Sequence, residues 1–511
     1  MRRRDLMRSV MQGGLGFGLA GAALSGCAGP ALSSASGVPR AGPPRGSSLA
    51  VPGLPEPGPM APVHVPDVVR LRLGGGAPEL IVATQDELPL VSVSMRVRCG
   101  SAADPPGRAG CAMLLSQMLA RGAMRQGQPV DGATLARQAE ALGGSIATGV
   151  HDSGIWVDMT VMTPRLPEAL ALLVDLVRRP LLGAQELQQV RAQAIDGLGL
   201  RLQDPALLAT LVARRSAWGR SLHGLVTTPE SLQAVRREDL AAMHRRWFRP
   251  DRLAIVLAGD IDPARARALM RPLLEGWRAG EPATYEMPSA APQPVLPATL
   301  LIDLPWAAQS SVVVSAPFVA LDAPDRRVAQ MAAAVVGGGY SARLNQAVRV
   351  RRGLSYGADG RIEQQRAGGL FFAETRVEHR HAAEAVLLMR EQMLSPGREP
   401  PDEAELQARR AALVGSFARR LDTTEGLATQ LGELWAQGVA LDEPARFAGE
   451  LAGVDGLQVL EFVRRRWPAA ALRTVVVGRL EGAGESLQGL DAQSLRLDAT
   501  TLALDSPMLR R

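Results

Sequence analysis

The chain contains no lysine. All 57 basic residues among its 511 positions are arginines, so the isoelectric point near 10.1 reflects the very high pKa of guanidinium rather than a large charge excess; the formal net charge is only +6. Aromatics are scarce at 4%, with three Tyr in all, and no block of Arg is interleaved with them, which argues against nucleic-acid binding. Gly337, Gly338 and Gly339 follow a helical pattern and lack the Lys-Ser/Thr step that completes a phosphate-cradling loop. There is no G-x-S-x-G turn and no Cys-His nucleophile arrangement, and His number only six. Beyond the N-terminus no segment reads as a transmembrane helix.

What is present is the composition of a folded, water-exposed protein, 46% hydrophobic and 21% charged, with length enough for two to four domains. The start differs. "MRRRDLM" opens a weakly apolar, Gly-rich stretch that closes on Leu24-Ser25-Gly26-Cys27, the pattern of an export signal over residues 1–27. The Arg3-Arg4 pair resembles a twin-arginine address, and the closing tetrapeptide resembles a bacterial lipobox in which Cys27 is lipidated. The expected location is therefore the cell envelope, as a membrane-anchored lipoprotein facing the periplasm or exterior. Residues 28–62, crowded with Pro, Gly and Ser, read as a flexible tether. Cys99 and Cys111 remain, flanking one loop; in an oxidising compartment they either form a disulfide that pins it or stay as two buried thiols.

Folded sequence begins near Val65. "LVSVSMRVRC" alternates Val91, Val93, Met95 and Val97 against Ser92, Ser94 and Arg96, as a half-buried strand does. Helical patterns follow at residues 110–121 and 132–142, strands near 145–150 and 155–162, and helices from Leu166 and Ala184. The second half repeats that order: a strand at 311–316, helices at 325–336 and 342–350, strands near 354–362 and 370–377, and helices from His381 and Pro401. "RRWFRPDRLAIVLAGDID" and "RRRWPAAALRTVVVGRLE" close the two halves alike, about 220 residues apart, so an α+β unit has been duplicated. The division is a peptidase-like N-terminal domain at 63–285, a linker at 286–297, a C-terminal domain at 298–483 and a tail at 484–511.

A strand ending in Gly-Ser, a "PPG" loop and "AGCAMLLSQMLARGA" together resemble the zinc-site opening of the insulinase-like (pitrilysin-type) metallopeptidases. "GGSIAT" at 143–148, "HGLVTTPESLQAVRREDLAAMHRRWFRPDRLAIVLAGDID" at 223–262 and "GGGYSARLNQAVRVRRGLSYG" at 337–357 extend the resemblance over most of the chain. It implies homologous halves of duplicated α/β sandwich units, antiparallel sheets packed on helices, closing with a partner subunit into a clam-like chamber.

Family members carry H-x-x-E-H on the opening helix, two imidazoles that hold zinc and a Glu that acts as base toward zinc-bound water. Those positions are Met113, Ser116 and Gln117 here, and the third ligand, a downstream Glu, falls at Gly197 or Asp196. A thioether, a hydroxyl and an amide cannot replace that set, so the resemblance implies no cofactor in this chain and zinc in a partner. His379 and His381 with Glu384 form an H-x-H lacking a third ligand, and His64, His151, His223 and His244 are isolated; these read as structural. Arg349 and Tyr356 match the pair that, in the family, reaches across to the zinc site of the other half, the Arg gripping a carbonyl and the phenol donating to an oxyanion. Ser145, Ile146, Ala147 and Thr148 match the start of the edge strand on which active members lay extended substrate. The expectation is thus a subunit inactive alone that, paired with an H-x-x-E-H subunit, supplies Arg349 and Tyr356 and helps bind peptide. The alternative is an inactive, lipid-anchored peptide-binding or assembly module of the envelope.

Overall fold

A computed structural model of the chain describes residues 63–74, 76–277, 292–366, 368–481, 486–487 and 489–510. The signal, Cys27 and the tether lie outside these residues, as does the first part of the expected linker. Among the described residues no helix is long and apolar enough to cross a membrane.

The first half runs β1 (Val68–Arg72), β2 (Glu79–Thr84) and β3 (Leu90–Val97), then α1 (Cys111–Leu119) and a hairpin of β4 (Gly122–Arg125) and β5 (Gln128–Asp131). It continues through α2 (Gly132–Ala141), β6 (Ala147–Val150) and β7 (Ile155–Met162) to α3 (Leu166–Arg178), α4 (Ala184–Gln203) and α5 (Pro205–Trp218). Then come α6 (Pro229–Ala234), α7 (Arg237–Trp247), β8 (Leu253–Gly259) and α8 (Pro263–Leu274). The second half runs β9 (Thr299–Asp303), β10 (Ser310–Phe318), α9 (Arg326–Gly337) and α10 (Arg343–Asn345), which continues into a π-helical turn, Gln346–Arg351. β11 (Ala358–Gln365), β12 (Gly368–Val377), α11 (Ala382–Leu394), α12 (Glu403–Leu421) and α13 (Thr424–Gln437) follow. The half ends with α14 (Glu443–Ala452), α15 (Gly456–Arg466), β13 (Arg473–Gly478) and β14 (Leu495–Asp498).

The duplication is visible in the sheets. One has the strand order β1-β2-β8-β3-β7-β6, the other β14-β9-β13-β10-β12-β11, so five positions match; at the sixth, β1 pairs antiparallel with β2 whereas β14, from the C-terminal end, pairs parallel with β9. Each half has its parallel pair at the same place, β2 with β8 and β9 with β13, and antiparallel pairing from there to the far edge. Trp247 and Trp467, which close the matching helices, are both buried. The strands after them end at Gly259 and Gly478, where a Cβ would lie 2.0 Å from the Leu90 carbonyl and 2.4 Å from Ser310 Oγ respectively, so only glycine fits.

Between the halves, helices are exchanged. α5 of the first packs on β10 and β13 of the second, and α13 of the second packs on β3 and β8 of the first. This changes the expected half-buried character of β3, whose Ser92, Ser94 and Arg96 are as buried as its valines because α13 covers them. Burying polar groups demands partners. Ser92 Oγ lies 2.7 Å from Thr160 Oγ1 and 2.8 Å from Thr424 Oγ1, Ser94 donates to Asp158 at 2.7 Å, and Arg96 reaches Asp158 at 3.1 Å. On α13, Leu427, Leu431 and Leu434 are fully or almost fully buried, worth roughly 1.5–3 kcal/mol each. Gln293, within the expected linker, donates its amide to the Trp218 carbonyl at the end of α5, which ties this part of the linker to that helix.

Candidate functional site

Helix α1 starts from a loop fastened by a side chain the sequence reading did not single out. Asp104 accepts from the Gly110 amide at 2.6 Å and the Ala112 amide at 2.7 Å, satisfying donors that the helix start leaves open. Its carboxyl is buried, and that burial pushes its pKa up to about 7 against the pull of the two amides. The loop holds no disulfide: Cys99 and Cys111 are free thiols packed in the core beneath it, correcting the cross-linked alternative. Burial pushes both thiols up, Cys111 to about 12, so neither is poised as a thiolate.

On α1 itself, Ser116 is buried and its hydroxyl donates to the Met113 carbonyl at 2.8 Å, inside the same helix. Met113 is half-buried against the core and Gln117 is exposed. Across from them on α4, which packs on α1, Gly197 leaves open space where a Cβ would stand, and Asp196 is exposed. Among the described residues no group of three or more His, Cys, Asp and Glu is placed to hold a metal. The residues at the zinc positions thus do not fit zinc, and no step of chemistry passes through that helix. The H-x-H is likewise taken up: His379 Nδ1 lies 2.9 Å from Ser310 Oγ and Nε2 lies 3.0 Å from the Ala307 carbonyl, while His381 faces Glu384 at 3.6 Å.

The second half presents its pair openly. Arg349 sits in the π-helical turn, a geometry frequent at functional sites, and Tyr356 precedes β11 with 94% of its surface exposed. The aromatic ring that meets the Arg349 guanidinium is that of Tyr340, 5.2 Å away. The Tyr340 carbonyl is held by Asn345 at 2.7 Å and Gln346 at 3.0 Å, and Asn345 also accepts from the Ala358 amide, linking this turn to the strand after Tyr356. Tyr356 itself lines a cavity of about 390 Å³ between α5 and the second sheet, beside Asp359 and Glu374.

The expected peptide strand is the free edge of the first sheet: β6 pairs with β7 alone. Regular pairing covers Ala147 and Thr148, whereas Ser145 and Ile146 precede the strand after the turn at Gly143 and Gly144. Just beyond β6 lies a network that sequence reasoning missed. The Asp152 carboxylate receives Arg214 of α5, Ser101 at 2.7 Å and Gln365 of β11 at 2.9 Å, with His223 Nδ1 at 3.5 Å. Burial alone would raise Asp152, but His223, Arg214 and Ser101 outweigh it and hold the carboxyl well below the usual range. No motif betrays this network, because its members come from four separate stretches of chain.

Comparison with known proteins accords with this geometry. The family profile described as insulinase (peptidase family M16) matches residues 80–199, and that described as peptidase M16 inactive domain matches residues 234–413. An uncharacterized zinc protease of Streptomyces coelicolor is 22% identical over 74% of this chain and 83% of its own length. The non-peptidase homolog YmxG of Helicobacter pylori is 25% identical over 53% of this chain and 61% of its own. In fold, the chain is similar to a peptidase M16 inactive domain from Pseudomonas fluorescens, with a TM-score of 0.73 at 21% identity over 81% of this chain and 98% of that one. A protease from Helicobacter pylori gives 0.72 at 14% identity over 81% and 100%. The chain therefore belongs to the insulinase-like M16 peptidase family, as an inactive-type homologue whose zinc-motif helix carries no zinc ligand.

Proposed function

We propose that this chain is the zinc-free subunit of a two-chain envelope metallopeptidase, lending Arg349 and Tyr356 to a site whose zinc and general base belong to a homologous H-x-x-E-H subunit. The observation that carries this reading is the contrast within one molecule: an α1 refilled with Met113, Ser116 and Gln117, beside a second half that keeps Tyr356 almost wholly exposed next to a turn bearing Arg349. An exposed phenol contributes little to folding, and a guanidinium resting on an aromatic face is oriented yet still able to grip a carbonyl. In the assembled site Arg349 would hold the substrate carbonyl and Tyr356 would donate to the oxygen on which negative charge develops. Lipidation at Cys27 would tether the pair to the membrane, and an unfolded or short peptide would lie along β6. A second reading, a peptide-binding module without catalysis, draws on the same free edge of β6 and needs no zinc-bearing subunit.

Affinity purification of the tagged lipoprotein from its native envelope separates the two. A stoichiometric H-x-x-E-H chain carrying about one zinc per pair, with none retained by this chain alone, is the expected result. Recovery of this chain without such a subunit would favour the binding module.

A further inference from the structure

The loop between α9 and α10 carries an aromatic side chain that the core does not use. Tyr340 keeps 64% of its surface exposed, whereas the backbone around it is fastened at several points. Arg409 of α12, itself buried, donates to the Gly338 carbonyl at 2.9 Å and to the Ser341 hydroxyl. The Tyr340 carbonyl accepts from Asn345 Nδ2 at 2.7 Å and from Gln346 Nε2 at 3.0 Å, and the Ala342 amide donates back to the Gly339 carbonyl at 3.0 Å. Gly339 makes the turn at φ 110°, a conformation that favours glycine. A loop held this firmly fixes the place of the one ring it presents.

What meets that ring is Arg349. The guanidinium carbon lies 5.2 Å from the ring centroid, within the roughly 6 Å reach of a cation–π contact. Among the described residues Arg349 forms no ion pair, while Arg352, three residues on, is taken up by Glu384. Its charge is therefore steered without being neutralised. A carboxylate in the same place would compete with a substrate carbonyl for the guanidinium N–H groups; an aromatic face engages the flat side and leaves the N–H edge free. The other end of Asn345 accepts from the Ala358 amide at 3.3 Å, so the support of the ring is joined to the segment that carries Tyr356.

We propose that Tyr340 is a positioning residue for Arg349, its ring the platform that aims the guanidinium into the shared site. This deepens the two-chain reading and rests on it. Tyr340 touches no reacting atom and acts only through Arg349. A carbonyl held by Arg349 is held in bound substrate and in the transition state alike, so loss of the platform weakens substrate binding rather than turnover.

Two measurements test this. In the full chain alone, 3-fluorotyrosine labelling gives a fluorine signal for each of the three Tyr, and Tyr340→Phe identifies that of Tyr340. Arg349→Gln shifts this signal; a signal left in place would overturn the stacking and the proposal with it. In the purified two-chain assembly, Tyr340→Leu raises KM by about 2- to 5-fold with kcat nearly unchanged, the worth of an exposed cation–π contact. Tyr340→Phe, which keeps the ring, restores KM, and Tyr340→Leu adds nothing in an Arg349→Ala background. A merely structural loss would instead lower kcat through a smaller active fraction. An unchanged KM in Tyr340→Leu, no restoration by Phe, or additivity with Arg349→Ala would overturn the positioning role. The two-chain reading is judged separately, by recovery of the H-x-x-E-H subunit, and the fluorine measurement needs no partner.

Discussion

Asp104 joins the loop and helix that would hold zinc in an active relative, and it does so as a buried carboxyl gripping two amides. Its folded pKa, about 7, lies above the model-peptide value near 3.9. Above its unfolded pKa the unfolded chain releases this proton while the folded one keeps it. Stability from this group therefore declines as pH rises from about 4 through about 7 and levels off beyond. Asp104→Ala removes both acceptors and should lower unfolding stability by about 1–3 kcal/mol, while abolishing this part of the pH dependence. Urea titrations of the two proteins at pH 5 and pH 8 would show it; an identical pH response in both would exclude Asp104 as its source. The sequence displayed the Asp within "SAADPPGRAG" but not its burial, which depends on α1 folding back over the loop.

Helix α13 shows what periodicity can and cannot reveal. Alternation in β3 correctly marked a strand with its apolar face inward, yet the opposite face is sealed by a helix some 330 residues away in sequence. Nothing local in "SVSMR" announces that cover. Its fit is tight at Gly432, where a Cβ would lie 2.5 Å from Arg96 Nε and 2.8 Å from its Cγ. Gly432→Ala should displace an arginine held by Asp158 and cost about 1–3 kcal/mol. Gly449→Ala, on α14 with nothing within 4 Å of the new carbon, should instead stabilise by about 0.5–1 kcal/mol. Thermal melts of the two variants against the parent decide it, and equal shifts would mean that α13 does not pack on β3 as described. The edge strand was legible through "GGSIAT", its start displaced by two residues because Gly143 and Gly144 complete the turn before pairing begins.

At the scale of the molecule, duplication was the most legible feature, since matched Trp-to-Gly segments predicted matched halves and the strand orders agree at every position but the outermost, β1 or β14. The exchange of α5 and α13 was invisible, because each helix has the same amphipathic pattern whichever sheet it covers. Both covered sheets end in a free edge strand, β6 or β11, separated by β7 or β12 from the strands on which the lent helix packs, and Tyr356 lines the cavity between α5 and the second sheet. While the third position fell at Gly197 or Asp196, the departures from H-x-x-E-H at Met113, Ser116 and Gln117 were plain from the sequence, since they concern residue identity. The network on Asp152 was not, since it is made only when distant segments converge.

In the proposed two-chain peptidase, Arg349 and Tyr356 act in a site completed by another chain. Hydrolysis of an unstructured peptide by the purified two-chain assembly, measured with Arg349→Ala and Tyr356→Phe in this subunit, is the decisive measurement. Both side chains are exposed, so melting temperature and subunit recovery should be unchanged, while kcat/KM falls by roughly 10²-fold or more for each, the range seen on removing one oxyanion donor. Full peptidase activity in both variants would exclude Arg349 and Tyr356 from the site and leave the pair as surface residues of a binding module.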